Sequence, residues 1–218
     1  MPRSVRVDDE DELAAALYRL GLTGSCPVVV VVGDAGGMSG AAAERAAPVL
    51  GDAVVPVCEE LSAAIVDGGT DSGVMRLTGE AHAARHATFP LIGVVAAGTA
   101  QTHAGSAPDA APLEPNHTHF VVVPGSSWGD ESPWLTRVAV ALAAGAPIAG
   151  VLIGGGPISA HDVEHLGVAN IPVFAISGTG RLADEITSVG ESDHVQLVRA
   201  IEDPERLAVA LRGVLEGA

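Results

Sequence analysis

A chain of 218 residues with 11 basic against 27 acidic side chains carries a formal charge of −16. That balance excludes generic nucleic-acid binding, which rests on Lys and Arg meeting phosphates, and it offers no polybasic patch to a membrane. The length suits one domain, residues 1–218, whose core is built from small aliphatic side chains, because aromatics make up only 3%.

Two cysteines, Cys26 and Cys58, form neither a disulfide framework nor a zinc spacing, and each reads as a reduced thiol among apolar neighbours. The N-terminus lacks a charged-then-apolar signal pattern, and the longest apolar run, 27–32, is too short to cross a bilayer. The expectation is a cytoplasmic protein.

Residues 4–7 form a short edge strand. Asp8 to Asp11 then supply a cap and first-turn negative charge for a helix with Leu13, Ala16, Leu17 and Leu20 on one face, stopping near Gly21. The unbroken valine run 28–32 is a strand buried on both faces. It ends in Gly33-Asp34-Ala35-Gly36-Gly37-Met38-Ser39 and an Ala-rich helical stretch that Pro48 and Pro56 break or kink. Residues 63–66 form the next strand, which turns through Asp67-Gly68-Gly69-Thr70-Asp71 into a helix capped by Thr70 or Asp71. That helix carries Val74, Leu77, Ala81 and Ala84 and runs to about His86.

A strand at 89–96 follows. Residues 97–118 have no apolar periodicity, and so long a loop is functional or mobile. Strand 119–123 closes in the Gly125 to Glu131 turn, and a helix with Trp134, Val138 and Leu142 leads to strand 148–153 and the glycines 154, 155 and 156. Ser159 or Ala160 opens a short helix. Residues 171–176 are the last strand, ending in Ser177-Gly178-Thr179-Gly180-Arg181, and 204–215 is a closing helix with Leu207, Leu211 and Leu215 on one face. The alternation predicts an α/β fold: a three-layer, Rossmann-like, doubly wound and mostly parallel sheet. Right-handed crossovers put every glycine corner at the carboxyl edge of that sheet, where ligands bind above the strand-order reversal.

Five corners carry the candidate chemistry. Gly33, Gly36 and Gly37 are spaced G-x-x-G-G, which is not the NAD fingerprint; Asp34 among them repels a phosphate and suits a ribose hydroxyl or a bond back to its own loop. Gly68, Gly69, Thr70 and Gly73 read as a phosphate cradle at a helix N-terminus, or as a structural corner. Asp67 either serves as a general base or steadies the turn. His117 and His119 share a face if extended, but no third ligand is near and no metal is expected. Asn116 and Thr118 are candidate readers of a ribose or base, and Trp128, beyond Gly125, a candidate stacking surface. Gly154 and Gly155 mark the fourth corner. Gly178, Thr179, Gly180 and Arg181 form the fifth, with Arg181 either gripping phosphate or bridging to Asp184. No nucleophile elbow, Walker lysine or H-E-x-x-H occurs.

Together, Gly33 to Met38, the run Val66-Asp67-Gly68-Gly69-Thr70-Asp71-Ser72-Gly73-Val74-Met75, Pro115-Asn116-His117-Thr118-His119-Phe120 and Gly178-Thr179-Gly180-Arg181 resemble the SLOG superfamily. The resemblance is to its prokaryotic branch, related to the N-terminal cytoplasmic region of TRPM channels, and more distantly to LOG- and Smf-type proteins. It runs from about residue 28 to 184 and implies a Rossmann-like domain that binds nucleotide-derived ligands, such as ADP-ribose or NAD derivatives, usually as a sensor. No other cofactor is implied, and the output would pass through a homodimer or a separate effector protein. The LOG enzymes, phosphoribohydrolases, carry Pro-Gly-Gly-x-Gly-Thr-x-x-Glu. Here the turn reads Asp67-Gly68-Gly69-Thr70-Asp71-Ser72-Gly73, with Glu80 too far along to supply the glutamate. The alternative, a hydrolase of a glycosidic or phosphate bond, would use Asp34, Asp67 or Asp184 as acid or base.

Overall fold

A computed structural model of the protein describes residues 2–101, 110–189, 198–201 and 203–217. Among the described residues eight strands make one sheet: β1 (Arg3–Arg6), β2 (Val28–Gly33), β3 (Ala64–Asp67), β4 (Leu91–Ala96), β5 (His119–Val123), β6 (Ile148–Ile153), β7 (Val173–Ile176) and β8 (Val198–Ile201). Their order is β1-β5-β4-β3-β2-β6-β7-β8, and each neighbouring pair runs parallel. The fold is therefore the doubly wound α/β arrangement the alternation requires, parallel throughout its pairings. It has one strand more than the sequence suggests, since β8 and not 171–176 is the last.

The valines of β2 show why the sheet is a middle layer. Val28, Val30 and Val32 pack toward α1 (Leu13–Leu20), α5 (Ser132–Ala143), α6 (Pro157–Val168) and α7 (Arg181–Val189). Val29 and Val31 face the other way, into a core with α4 (Gly73–Ala84) and α8 (Pro204–Leu215). Successive side chains of a strand point to opposite faces, so a continuous valine run fills both cores, at roughly 1.5–3 kcal/mol for each fully buried side chain. Trp134 joins the first core, with the Arg137 guanidinium 5.1 Å from its ring centroid. Cys58 is buried and Cys26 half-buried, both as free thiols whose ionisation burial opposes.

The stretch after β2 does not break at its prolines. It stays helical through α2 (Gly40–Pro48), a π-helical segment (Val49–Val54) and α3 (Val55–Leu61). A wider turn accommodates Pro48, which has no N–H to give, and Pro56 falls in the first turn of α3, where its N–H is not needed. Among the described residues no helix is long and apolar enough to cross a membrane.

Strand order reverses between β2 and β6. From β2 the chain builds outward through β3, β4 and β5, then returns to place β6 on the other flank of β2 and continues through β7 to β8. The β2–β6 ladder runs in register from Val28 opposite Ile148 to Gly33 opposite Ile153.

Candidate ligand-binding rim

At the upper end of that ladder the loops after β2, β6 and β7 meet. Asp34 continues from β2 and donates its N–H to the Ile153 carbonyl at 3.2 Å. The Thr179 hydroxyl accepts the Gly154 N–H at 2.8 Å and donates to the Ile176 carbonyl at 2.6 Å, tying the β7 turn to the end of β6. The carbonyls of Gly154 and Gly155 then take the Ala183 and Leu182 amides at 2.9 and 3.1 Å, so the start of α7 is pinned over the reversal. Gly155 also packs on Ser159, whose hydroxyl donates to the Gly33 carbonyl at 3.0 Å.

Arg181 stands at this junction with φ +50°, a left-handed conformation that a non-glycine residue adopts only under constraint. Its guanidinium lies against the α-carbons of Gly37 and Gly156, where an added Cβ would come within 2.7 and 2.5 Å of Nη1 and Nη2. Nη1 donates to the Asp34 carboxylate. The arginine side chain is 48% exposed and that of Asp34 only 3%, so the cation faces outward with a buried carboxylate beneath it. Arg181 does not bridge to Asp184. That carboxylate instead accepts the Gly178 and Gly180 amides, at 2.6 and 3.1 Å. A second arginine, Arg45 from α2, lies over the Gly178 α-carbon and donates Nε–H to the Ser177 carbonyl at 3.0 Å.

The Gly178–Gly180 turn is thus not an open phosphate cradle, and neither is the corner after β3. There the Asp67 carboxylate accepts the Gly69 N–H at 2.8 Å, the Asp71 N–H goes to the Pro112 carbonyl at 2.8 Å, and the Ser72 N–H turns back to Thr70. Gly68 packs on the Met75 side chain, Thr70 is buried, and Gly73 sits against the Asp34 and Ala35 carbonyls. Neither Thr70 nor Asp71 caps α4; Ser72 holds the cap position without capping an amide, its hydroxyl instead meeting that of Thr70 at 3.3 Å, and Asp71 pairs with Arg76 at 2.7 Å. After β5 the pattern repeats. Gly125 leaves room for Asp130, whose carboxylate takes the Ser126 and Ser127 amides at 2.8 and 3.0 Å, and these amides hold it below the usual carboxylate range. In an acidic chain, aspartates fill the positions where an anion was expected.

Asn116, His117 and Thr118 do not reach the rim. The Thr118 hydroxyl bonds the N–H of Leu91, the first residue of β4, at 2.9 Å, and contacts Nδ1 of His119. This places the segment at the amino end of β4 and β5, away from Arg181. His117 is buried between two carboxylates: Nε2 meets Asp67 Oδ1 at 2.8 Å and Nδ1 meets Glu114 Oε2 at 2.7 Å. Its ring stacks on Phe120, with centroids 5.4 Å apart. Burial alone would push the imidazole down, but Asp67 and Glu114 outweigh it and raise its pKa to about 9. Asn116 closes the cluster by donating its side-chain and backbone N–H groups to Glu114 at 2.7 and 2.9 Å. Asp67 Oδ2 is buried with no hydrogen-bond partner among the described residues. His117 and His119 therefore form no metal pair, and among the described residues no cluster of three or more His, Cys, Asp or Glu could hold a metal ion.

The cluster anchors the approach to β5. Residues 110–114 run back beside 99–101 and across the β3 corner, with a bridge between Leu113 and Thr70 and the Glu114 N–H donated to the Gly69 carbonyl at 3.0 Å. Residues 102–109 of the long loop lie outside the described residues.

Two further features flank the reversal. Trp128 is exposed, and Gly129 beside it approaches Ile158 at the start of α6. Below them, between α5 and α6, burial pushes the Asp162 carboxyl up to about 6, beside the Ser132 hydroxyl and Glu131. On the other side, a cleft of about 310 Å³ opens between the β2–α2 loop and α4, lined by Ala35, Gly36, Met38, Ser39, Gly73 and Arg76. Ser39 caps α2 by accepting the Ala42 N–H at 3.2 Å, and the first amides of that helix, which lack helical acceptors, border the cleft. Of the residues singled out in the sequence, Gly33, Asp34, Gly36, Gly37, Gly154, Gly155, Thr179 and Arg181 come together. Glu114 and Arg45 were not singled out. The i, i+3 spacing of Glu114 and His117 was the one local signal for the buried cluster.

Solved structures of the same fold include the molybdenum cofactor binding protein of Rippkaea orientalis and the molybdenum cofactor carrier protein of Chlamydomonas reinhardtii. The first is 12% identical with a TM-score of 0.61, over 88% of this chain and 99% of that one. The second is 18% identical with a TM-score of 0.62, over 88% of this chain and 99% of its own. The family model described as SLOG in TRPM, prokaryote, matches residues 26–212, from the thiol before β2 to the last turn of α8. With most of its length matched, the chain belongs to the prokaryotic SLOG-in-TRPM family.

Proposed function

We propose that the protein binds a nucleotide-derived anionic ligand of the ADP-ribose or NAD kind, without altering it, over the carboxyl ends of β2 and β6. The observation that carries this reading is the outward-facing Arg181 guanidinium, held flat against Gly37 and Gly156 where strand order reverses. A forked cation at that point, beside the first turn of α2, suits a phosphate. Arg45, from the last turn of α2, adds positive charge over Gly178, and Trp128 offers an exposed indole to a base. The two fold relatives named for molybdenum cofactor binding and carriage support a small-molecule role for this architecture.

Hydrolysis draws less support. Asp34, Asp67 and Asp184 are each engaged with protein donors, and Asp67 is buried with His117. A thermal-shift panel of ADP-ribose, NAD, AMP and cyclic ADP-ribose tests the proposal. Saturable stabilisation with the ligand recovered intact is the expected result. Recovery of free base or ribose 5-phosphate would move the reading to hydrolysis, and no shift with any of the four would overturn it.

A further inference from the structure

The pairing of Arg181 with Asp34 sets a condition on whatever anion takes the rim, a condition that rests on the ligand-binding reading above. A phosphate that draws the guanidinium to itself leaves behind a carboxylate only 3% exposed, stripped of its cation and next to new negative charge. A buried charge without a partner is strongly unfavourable, and like charges brought together add to that. Backbone donors on the neighbouring β6 and β7 turns are already committed. Asp34 Oδ2 lies close under Gly154, where a Cβ would come within 2.5 Å, and the Gly154 N–H is already given to Thr179. The nearby Gly178 and Gly180 amides belong to Asp184.

The exchange becomes favourable when the incoming molecule brings a donor of its own. A carboxylate only accepts hydrogen bonds, and the donor most often carried beside a phosphate ester is a sugar hydroxyl. We propose that Asp34 is the specificity-determining residue of the rim: it admits phosphate esters of polyols, whose hydroxyl replaces Arg181 as its partner, and disfavours bare polyphosphates and carboxylates. Arg181 and Asp34 thus read a phosphate and a hydroxyl together. Neither feature suffices alone.

Calorimetric titrations of ribose 5-phosphate, ADP-ribose and inorganic pyrophosphate into the wild type and Asp34→Asn test this. The wild type is expected to prefer the two sugar phosphates over pyrophosphate by about tenfold or more. In Asp34→Asn, whose amide leaves no buried charge behind, pyrophosphate tightens about tenfold and the preference collapses. An unchanged preference, a weaker pyrophosphate in the variant, or no binding of any probe to either protein overturns the inference. Should ribose 5-phosphate show the Asp34-dependent preference while ADP-ribose, NAD and AMP all fail to bind, the nucleotide reading falls and the role of Asp34 stands. Asp34→Ser carries the same comparison if the asparagine variant does not fold.

Discussion

The Glu114 carboxylate rests on the α-carbon of Gly79, in the middle of α4, so closely that a single methyl group at position 79 would overlap it. A mid-helix glycine normally costs about 1 kcal/mol relative to alanine, and here that cost makes room for the acid that orients His117. Gly79→Ala should therefore destabilise the fold despite its better helix propensity. Overpacking costs about 1–3 kcal/mol, and displacing Glu114 adds to it, for an expected net loss of about 2 kcal/mol by urea denaturation. A gain in stability would remove Glu114 from the supports of the fold.

The charge on His117 should appear as a pH dependence of stability. Its folded pKa, about 9, lies above the unfolded value near 6.5. The stabilisation is complete below pH 6.5 and disappears as pH rises through 9, because the folded state holds a proton that the unfolded chain has released. A loss on the order of 3 kcal/mol between pH 6 and 9.5 is expected in the wild type. His117→Gln should be less stable at pH 6 and lack this particular decline; equal slopes in the two proteins would argue against a charged imidazole.

Asp162 predicts the opposite kind of variant. Burial raises its folded pKa from 3.8 to about 6, so its ionisation weakens the fold progressively as pH climbs from 3.8 through 6. Its Oδ1 and the Thr136 hydroxyl are buried without a hydrogen-bond partner among the described residues, and the neighbouring Ser132 hydroxyl offsets only part of the cost of burying the charge. Asp162→Asn cannot ionise and should be more stable at pH 7.5 by on the order of 2 kcal/mol, with little gain at pH 4.5. Thermal melts at both values distinguish this from a uniform effect of the amide.

Arg181→Ala should weaken the rim's ligand by about 1.5–3 kcal/mol, the scale of a charge-assisted contact. Equilibrium titration of whichever probe shifts the melting curve measures it. Unchanged affinity would place the anion elsewhere, with the cleft beside Gly36 and Arg76 the next region to probe.

Periodicity made the layers legible, because five consecutive valines can only be a strand covered on both sides, and the leucines of α1 and α8 mark a single buried face each. Parallel connectivity then forces the glycine corners onto one edge. The occupancy of those corners was not legible. An aspartate a few residues from a glycine looks the same in sequence whether it repels a ligand or, as with Asp67, Asp130 and Asp184, takes the turn's own amides. Arg181 meets Asp34 across 147 residues and His117 meets Asp67 across 50, separations at which spacing carries no signal; only Glu114, three residues before His117, is a local partner. The π-helical segment leaves no mark in the sequence, because a proline ordinarily signals a break and only the wider turn removes the need for its missing N–H.

The reversal of strand order has a mechanical side. The strands from β3 to β5, with β1, lie on one flank of β2, while β6, β7 and β8 lie on the other, so the β2–β6 ladder is the seam of the sheet. A guest spanning Asp34 and Arg181 would grip both flanks at once and act as a staple across that seam. Slower amide exchange at Val30 and Val32, deep in the ladder and out of reach of the guest itself, would be the mark it leaves.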